Sequence, residues 1–560
     1  MKALTKTLFA AALLSTATGC ETFLDINQNP NAFTPESVTP DVVLAQALNT
    51  TGGLYSGGTV GGATGSVQNF NSYSSWAAGY WTKTNTINGY PEEQTYNYTT
   101  SFYANLFNNT YDNLNDYNII QINGATAYPN HAAIARIMKA YDYLLLVDQY
   151  GDIPYSQALK GAANVTPAYD KAQDIYKDLL VQLTGAIADI TAAPSTARTV
   201  GPEDIVFRGN MVSWKRFANS LKLRILLRES QTNDAALNTD VRTQLQALQG
   251  AADGFITSDV VVQPGYAQNL NQQNPFYNRY AYTQAGVAAT ERNYQVPTQY
   301  ILDQYKNNND PRLSQLYTMG ATLAVAGGTP TPGYIGGILG EATPPATGAP
   351  SVVTRQASRF RGAEATTPGG STSGGIFKGF NQATPLMLLS EQLFNKAEAE
   401  TRGLFTGGDV AAKQDYLDGI KASFLYYYRA AATTPTTLAA ATAATPGVTQ
   451  YDTFIATTAT AGSNVANPLV NFDVATTNGT LGKQAIIIYQ KYLAMNSVTS
   501  TEAWDDVRRT GLPKIPIALQ ATVGKLPTRL LYPLSEASTN SGNVPKGVDQ
   551  FTKIFWDVVD

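Results

Sequence analysis

The stretch AAIARIMKAYDYLLLVDQYGDIPYSQAL, residues 132–159, carries the pattern that decides the fold class. Ile134, Ile137, Met138, Tyr141, Leu144 and Leu145 recur at spacings of three and four, the signature of one buried helix face. YGDIPYS (150–156) then stops the helix as a turn, because Gly and Pro do not continue it. The same period returns along the chain. YDKAQDIYKDLLVQLTGAIADI (169–190) reads as an amphipathic helix with Asp170 as N-cap. SWKRFANSLKLRILLRES (213–230) sets Trp214, Phe217, Ala218, Leu221 and Ile225 on one face. TPLMLLSEQLFNKAEAETRG (384–403) reads as a helix opening near Pro385 and ending at Gly403. QDYLDGIKASFLYYYRA (414–430) and QAIIIYQKYLAMNS (484–497) are further helices. Strand-like alternation is sparse. The expectation is a mostly α body built of helix pairs.

Long loops separate the helices. Residues 52–65 are Gly-rich without a Walker A or GxGxxG pattern, 320–376 are rich in Gly, Pro and Thr, and 430–468 form an Ala/Thr tract.

The N-terminus has the form of an export signal. Lys2 and Lys6 precede the short apolar run Leu8–Leu14, which falls short of the roughly 20 residues that span a bilayer. Small residues Ala17, Thr18 and Gly19 follow, then Cys20, the only cysteine of the chain. This placement resembles the lipobox of bacterial lipoproteins and makes Cys20 the expected lipidation site. The expected organisation is a signal peptide over 1–19, an irregular arm over 20–40 and one body over 41–560. A lone cysteine allows no intramolecular disulfide.

Charged residues make up 14% of the chain, against about 25% in typical domains, and the formal net charge is −4. That balance argues against a nucleic-acid partner, which requires a basic face. His131 is the only histidine, which excludes HExxH and His-rich metal sites and suggests a surface or capping residue at a helix start. Asp25, Asn27, Asn29 and Glu36 fall on EF-hand-like offsets, but Pro30 stands where that loop needs Gly, so no metal is assigned. No GxSxG is present. No catalytic activity and no cofactor are expected.

Several motifs in colinear order resemble the SusD/RagB family of surface nutrient-binding lipoproteins. They are FLDINQNPN (23–31), YGDIPYSQAL (150–159), YDKAQDIYKDLLVQL (169–183), DIVFRGNMVSWKRFANSLKLRI (204–225) and NDPRL (309–313). They continue with AEAETRG (397–403), YLDGIKASFLYYY (416–428), QKYLAMNSVTSTEAWDDVRRTGLP (490–513), LPTRLLYPLSEASTN (526–540) and FWD (555–557). The resemblance implies a SusD-like fold: a TPR-like helix-pair scaffold carrying long inserted loops that form the ligand face. It also implies a lipid-anchored place at the outer membrane, exposed at the cell surface. The implied partner is a SusC-like TonB-dependent transporter, and the implied ligand is a glycan or, as an alternative, a peptide. A purely structural TPR-type surface adaptor is the remaining alternative. Trp504, Arg508, Arg509 and Gly511 read as scaffold residues, with Trp504 and Arg508 placed i, i+4 to stack and Gly511 and Pro513 ending their helix.

A sugar ring offers one apolar face and a rim of hydroxyls. Covering such a face contributes about 1 kcal/mol, whereas millimolar binding requires about 4 kcal/mol, so a glycan site needs aromatic platforms together with amide or charged partners. Two loops have that composition. NFNSYSSWAAGYWTKTN (69–85) offers Tyr73 and Trp81 among amides and hydroxyls, and NLNQQNPFYNRYAYTQ (269–284) offers Tyr277, Arg279 and Tyr282. These five are the expected ligand-binding residues.

Overall fold

In the computed structural model the described residues are 38–559, apart from 58–67, 88–89, 125, 351–353, 363–373, 432, 434, 458–463, 465 and 476–481. Cys20, the EF-hand-like offsets and most of the arm lie outside them. A single body extends from Pro40. Among the described residues no helix is long and apolar enough to cross a membrane.

Eleven helices build the scaffold: α1 (Pro40–Tyr55), α2 (Phe70–Ala77), α3 (Ala104–Asn123), α4 (Pro129–Tyr150), α5 (Ala172–Ala192), α6 (Met211–Arg228), α7 (Ala235–Gln249), α8 (Leu389–Thr401), α9 (Gly408–Tyr428), α10 (Lys483–Met495) and α11 (Ser500–Thr510). Neighbours in sequence pack as pairs: α3 on α4, α5 on α6, α8 on α9 and α10 on α11. The pairs interlock through α4 on α5 and α8 on both α6 and α10. The periodic apolar residues face these seams: Ile134, Ile137, Met138 and Tyr141 of α4 and Trp214, Phe217 and Leu221 of α6 are buried. The strands are short ribbons at the edges of this helical mass.

Polar residues also fill the seams, many of them as buried ion pairs. Arg224 binds Glu391 at 2.8 Å and Glu502 at 3.1 Å. Arg228 reaches Glu502 at 2.6 Å, Asp505 at 3.0 Å and Asp148. Arg509 takes Glu398 with two nitrogens, each at 2.7 Å, and Asp506 at 2.8 Å. Lys491 joins Asp506 at 2.7 Å and Arg402 joins Glu398 at 2.9 Å. Burial pushes the Glu398 carboxyl up, but Arg509 and Arg402 outweigh it and hold it well below the usual carboxylate range. Arg508 lies between Trp504 and Trp556, 5.4 and 4.8 Å from their ring centres, and donates to the carbonyls of Asp148 and Thr528. Trp504, Arg508 and Arg509 are therefore scaffold residues, and Gly511, with φ +69°, closes α11 in the left-handed conformation that favours glycine. Arg312 of NDPRL ties the middle of the chain to this core through Asp310 at 2.6 Å, Ser423 at 2.8 Å and Gln490 at 3.1 Å.

Three local expectations are corrected. Asp170 does not cap α5. It sits on a two-residue ribbon opposite Ile153, and its carboxylate accepts the Tyr155 and Ser156 amides at 3.0 and 2.8 Å, clamping the YGDIPYS turn. The first free amide of α5, Ala172 N, is taken instead by Asp152 at 2.9 Å. Pro385 does not open a helix. Thr384–Met387 is a strand paired with Val260–Val262, and α8 begins after it, with Leu389 N donating to Asp259 at 3.0 Å. His131 is not a surface residue; it is fully buried, with Nε2 on Glu203 at 2.9 Å.

Candidate functional site

The two loops expected to carry ligand aromatics fold into the core. Residues 70–77 form α2, capped by Asn69, whose side chain accepts Ser72 N at 2.8 Å. Tyr73 of α2 is fully buried and packs edge-on against Trp76 and Tyr103, each 5.4 Å away. Trp81, 1% exposed, opens a ribbon in which Trp81–Lys83 pairs with Gln295–Pro297. Its indole donates to Ser497 Oγ at 2.7 Å and packs on Tyr280 and Phe360. Tyr277 is fully buried on the short helix Pro275–Tyr280, which Asn274 caps. Tyr282 is 3% exposed and bridges to Ala288, with Arg292 5.0 Å from its ring. Arg279 alone of the five stays half-exposed. A buried ring presents no face to a sugar, and Tyr73, Trp81, Tyr277 and Tyr282, expected as a platform, pack in the core of this fold. The amides around them misled for a physical reason. Asn69 and Asn274 cap helices, and Asn71 binds Ser497 O at 2.8 Å and Ser500 N at 2.9 Å. Asn-rich chemistry here satisfies backbone groups rather than sugar hydroxyls.

The open cleft of the body lies just beyond those loops and has a volume of about 640 Å³. One wall comes from Asn85, Ile87, Tyr90 and Gln94, which follow the Trp81–Lys83 ribbon. The other comes from Thr322–Ala324, from 341–346 and from Arg355, at one end of a three-stranded sheet ordered 331–333, 320–322, 355–356. Thr84 anchors the first wall by donating from N to Tyr294 O at 2.9 Å and from Oγ1 to Asn293 O at 2.8 Å. Asn85 N reaches Pro345 O at 3.3 Å and joins the two walls.

Tyr90 supplies the aromatic surface of the cleft. It precedes the turn of helix Pro91–Thr95, and its ring lies 5.5 Å from Lys83 Nζ. Lys83 is held in turn by Glu93 at 2.8 Å, a buried pair beneath the cleft floor. Burial pushes the Tyr90 phenol up to about 12, with Glu93 and Glu341 adding to it, so it is neutral and can both donate and accept. Across the cleft Arg355 pairs with Glu341 and donates to Thr343 O at 2.9 Å. Glu341 also accepts Ile338 N at 2.8 Å. The two cleft charges therefore neutralise each other. The carboxamides of Asn85, Gln94 and Gln520 complete the rim, Gln520 being held by its bond to Gly340 O at 2.8 Å. One ring, three carboxamides and a self-neutralised ion pair suit an uncharged polar ligand. Among the described residues no three His, Cys, Asp or Glu converge as a metal site.

Arg279 and the four buried aromatics do not line this cleft. Tyr90 carries a sequence signal of its own: it follows an Asn-Gly dipeptide, a pair that marks turns in sequence, and belongs to no helical period.

The described residues thus form a scaffold of helix pairs that carries a loop-built polar cleft. The profile of the SusD-like family described as "Starch-binding associating with outer membrane" matches residues 49–533, and the chain belongs to the SusD/RagB family. Among solved structures, a chitin-binding SusD homologue from Flavobacterium johnsoniae superposes with a TM-score of 0.65 at 20% identity, covering 93% of this chain and 98% of its own. A SusD homologue from Bacteroides vulgatus gives 0.66 at 20% identity, with 92% and 97% covered. A SusD/RagB family protein from Bacteroides thetaiotaomicron gives 0.64 at 20% identity, with 94% and 100% covered. No curated protein sequence matches the chain significantly.

Proposed function

We propose that this protein is an outer-membrane lipoprotein, anchored through Cys20, that captures an oligosaccharide in the cleft between residues 85–94 and 341–355. It passes the ligand to a SusC-like TonB-dependent transporter and has no catalytic role. The observation that carries the reading is the cleft itself: Tyr90 faces a rim of carboxamides beside the mutually paired Arg355 and Glu341. Its volume lies within the usual range of ligand sites, roughly 300–1,000 Å³. The family description and the chitin-binding relative support a glycan over other uncharged ligands. One ring face at about 1 kcal/mol and a few hydrogen bonds at about 1 kcal/mol each sum to about 4–5 kcal/mol, so affinity for a short oligosaccharide is expected near the millimolar range.

Calorimetric titration of the mature chain against neutral oligosaccharides and short peptides tests the reading. At least one glycan is expected to bind, and Tyr90→Ala is expected to weaken it five- to thirty-fold with the fold retained. Binding of peptides only, or glycan binding indifferent to Tyr90→Ala, would refute it.

A further inference from the structure

A second pocket, of about 230 Å³, opens among α3, α4, α5 and the turn at 155–159, and it is lined by two cations and no carboxylate. Lys139 of α4 spends two of its three ammonium protons on the amide oxygens of Asn118 at 2.9 Å and Gln121 at 3.0 Å. Among the described residues no carboxylate pairs with it. Burial lowers its pKa to about 8, with Arg136 pushing the same way, as expected of a cation without a counter-ion.

Arg136 lies one helical turn before Lys139 on α4. Its Nε donates to Gln182 at 2.8 Å and its Nη1 to the half-exposed Asp189 at 2.8 Å. The guanidinium lies flat on α5 at Gly185, where a Cβ would stand 2.3 Å from both Nη1 and Nη2. Glycine at 185 thus makes the space in which Arg136 rests. Asp178, one turn before Gln182 on α5, is engaged by the Tyr155 hydroxyl and by Gln182 Nε2 at 2.9 Å. The opposite lip is the turn clamped by Asp170, ending at Leu159 in the left-handed conformation, φ +61°. A non-glycine residue rarely adopts that conformation, so the surrounding contacts must hold it there.

In the helix seams the buried Arg224, Arg228 and Arg509 are each paired with carboxylates, and the buried Lys378 and Arg529 donate to backbone carbonyls, whereas Lys139 faces an open pocket. We propose that the Arg136–Lys139 pocket binds an oxyanion, a carboxylate or phosphate group, at a site separate from the Tyr90 cleft. The free proton of Lys139 and the pocket-facing edge of Arg136 would hold its oxygens, since charge-assisted bonds of this kind are the strong ones. The oxyanion is either a free ion or the acidic group of a larger molecule such as a uronic acid sugar.

The test is calorimetric titration of the full mature chain at constant ionic strength with three probes: inorganic phosphate, acetate and glucuronate. Saturable binding of at least one probe is expected. Equal affinity for acetate and glucuronate identifies a simple oxyanion site, whereas glucuronate alone identifies the charged sugar. Lys139→Gln is expected to weaken binding at least tenfold. Gly185→Ala, which displaces the Arg136 guanidinium while leaving both charges in the chain, is expected to weaken it severalfold and stands in should Lys139→Gln not fold. Lys546→Gln, an exposed lysine elsewhere, is expected to bind as the native chain does. No heat with any of the three probes, or the same affinity in Lys139→Gln and Gly185→Ala as in the native chain, would overturn the proposal.

Discussion

Truncating Trp81 removes an indole that is 1% exposed and whose N–H is bonded to Ser497. Trp81→Ala is therefore expected to cost about 3–5 kcal/mol of stability, read by denaturant unfolding. Tyr90 is half-buried at the cleft wall, so Tyr90→Ala is expected to cost about 1 kcal/mol of stability or less and to act on ligand affinity instead. Finding that the two variants destabilise equally would place Tyr90 in the core. Both residues are aromatic side chains in polar surroundings, and composition alone does not separate them. The difference lies in partners distant in sequence: Ser497 and Phe360 close over Trp81, and a local pattern carries no record of them. Trp504 and Arg508 were legible because their contact is i, i+4 on one helix.

The seams between helices hold carboxylates whose state depends on their partners. Asp142 of α4 is fully buried and accepts only neutral donors, Asn113 of α3 at 2.8 Å and Thr51 of α1 at 3.2 Å. Burial pushes its carboxyl up to about 7, against the pull of those two bonds. The folded state then binds the proton more tightly than the unfolded chain, whose Asp titrates near 3.9. This contribution is fully present below about pH 4 and is lost as pH rises to about 7, at about 1.4 kcal/mol per unit. Asp142→Asn removes the slope. Its stability relative to the native protein is expected to improve by about 2–4 kcal/mol between pH 4 and pH 8, measured by urea unfolding at both values. A pH-independent difference would mean that Asp142 stays ionised. Arg509 illustrates the opposite case. Removing it leaves Glu398 with Arg402 alone and Asp506 with Lys491 alone in a buried seam, so Arg509→Met is expected to destabilise at neutral pH, by less than the roughly 3–5 kcal/mol of a buried charge left wholly unpaired. At this scale the helices were legible from period. Their starts were not, because α5 and α8 take their first amides to Asp152 and Asp259, which no cap pattern next to the helix announces.

For the molecule as a whole, the colinear motifs fixed the family because they are the parts of the scaffold that touch one another. YGDIPYS meets LPTRLLYP through Tyr532 on the Asp152 carbonyl at 2.6 Å, and NDPRL meets YLDGIKASFLYYY through Arg312 on Ser423. The Tyr90 cleft is built from loops outside those motifs, which is why its position was not legible in the sequence. Anchoring has its own test: Cys20→Ser is expected to release the protein from membranes or leave it unprocessed, scored by fractionation, and a membrane-bound, normally cleaved variant would contradict it. Gentle detergent extraction is expected to recover a TonB-dependent barrel with the native chain.

The account turns on where the oligosaccharide sits, and backbone hydrogen exchange with and without a saturating glycan ligand reads that directly. Protection is expected in residues 84–95 and 341–355, the two walls that meet at Asn85 and Pro345. Protection confined to 69–82 and 275–282, around Trp81 and Tyr277, would contradict it.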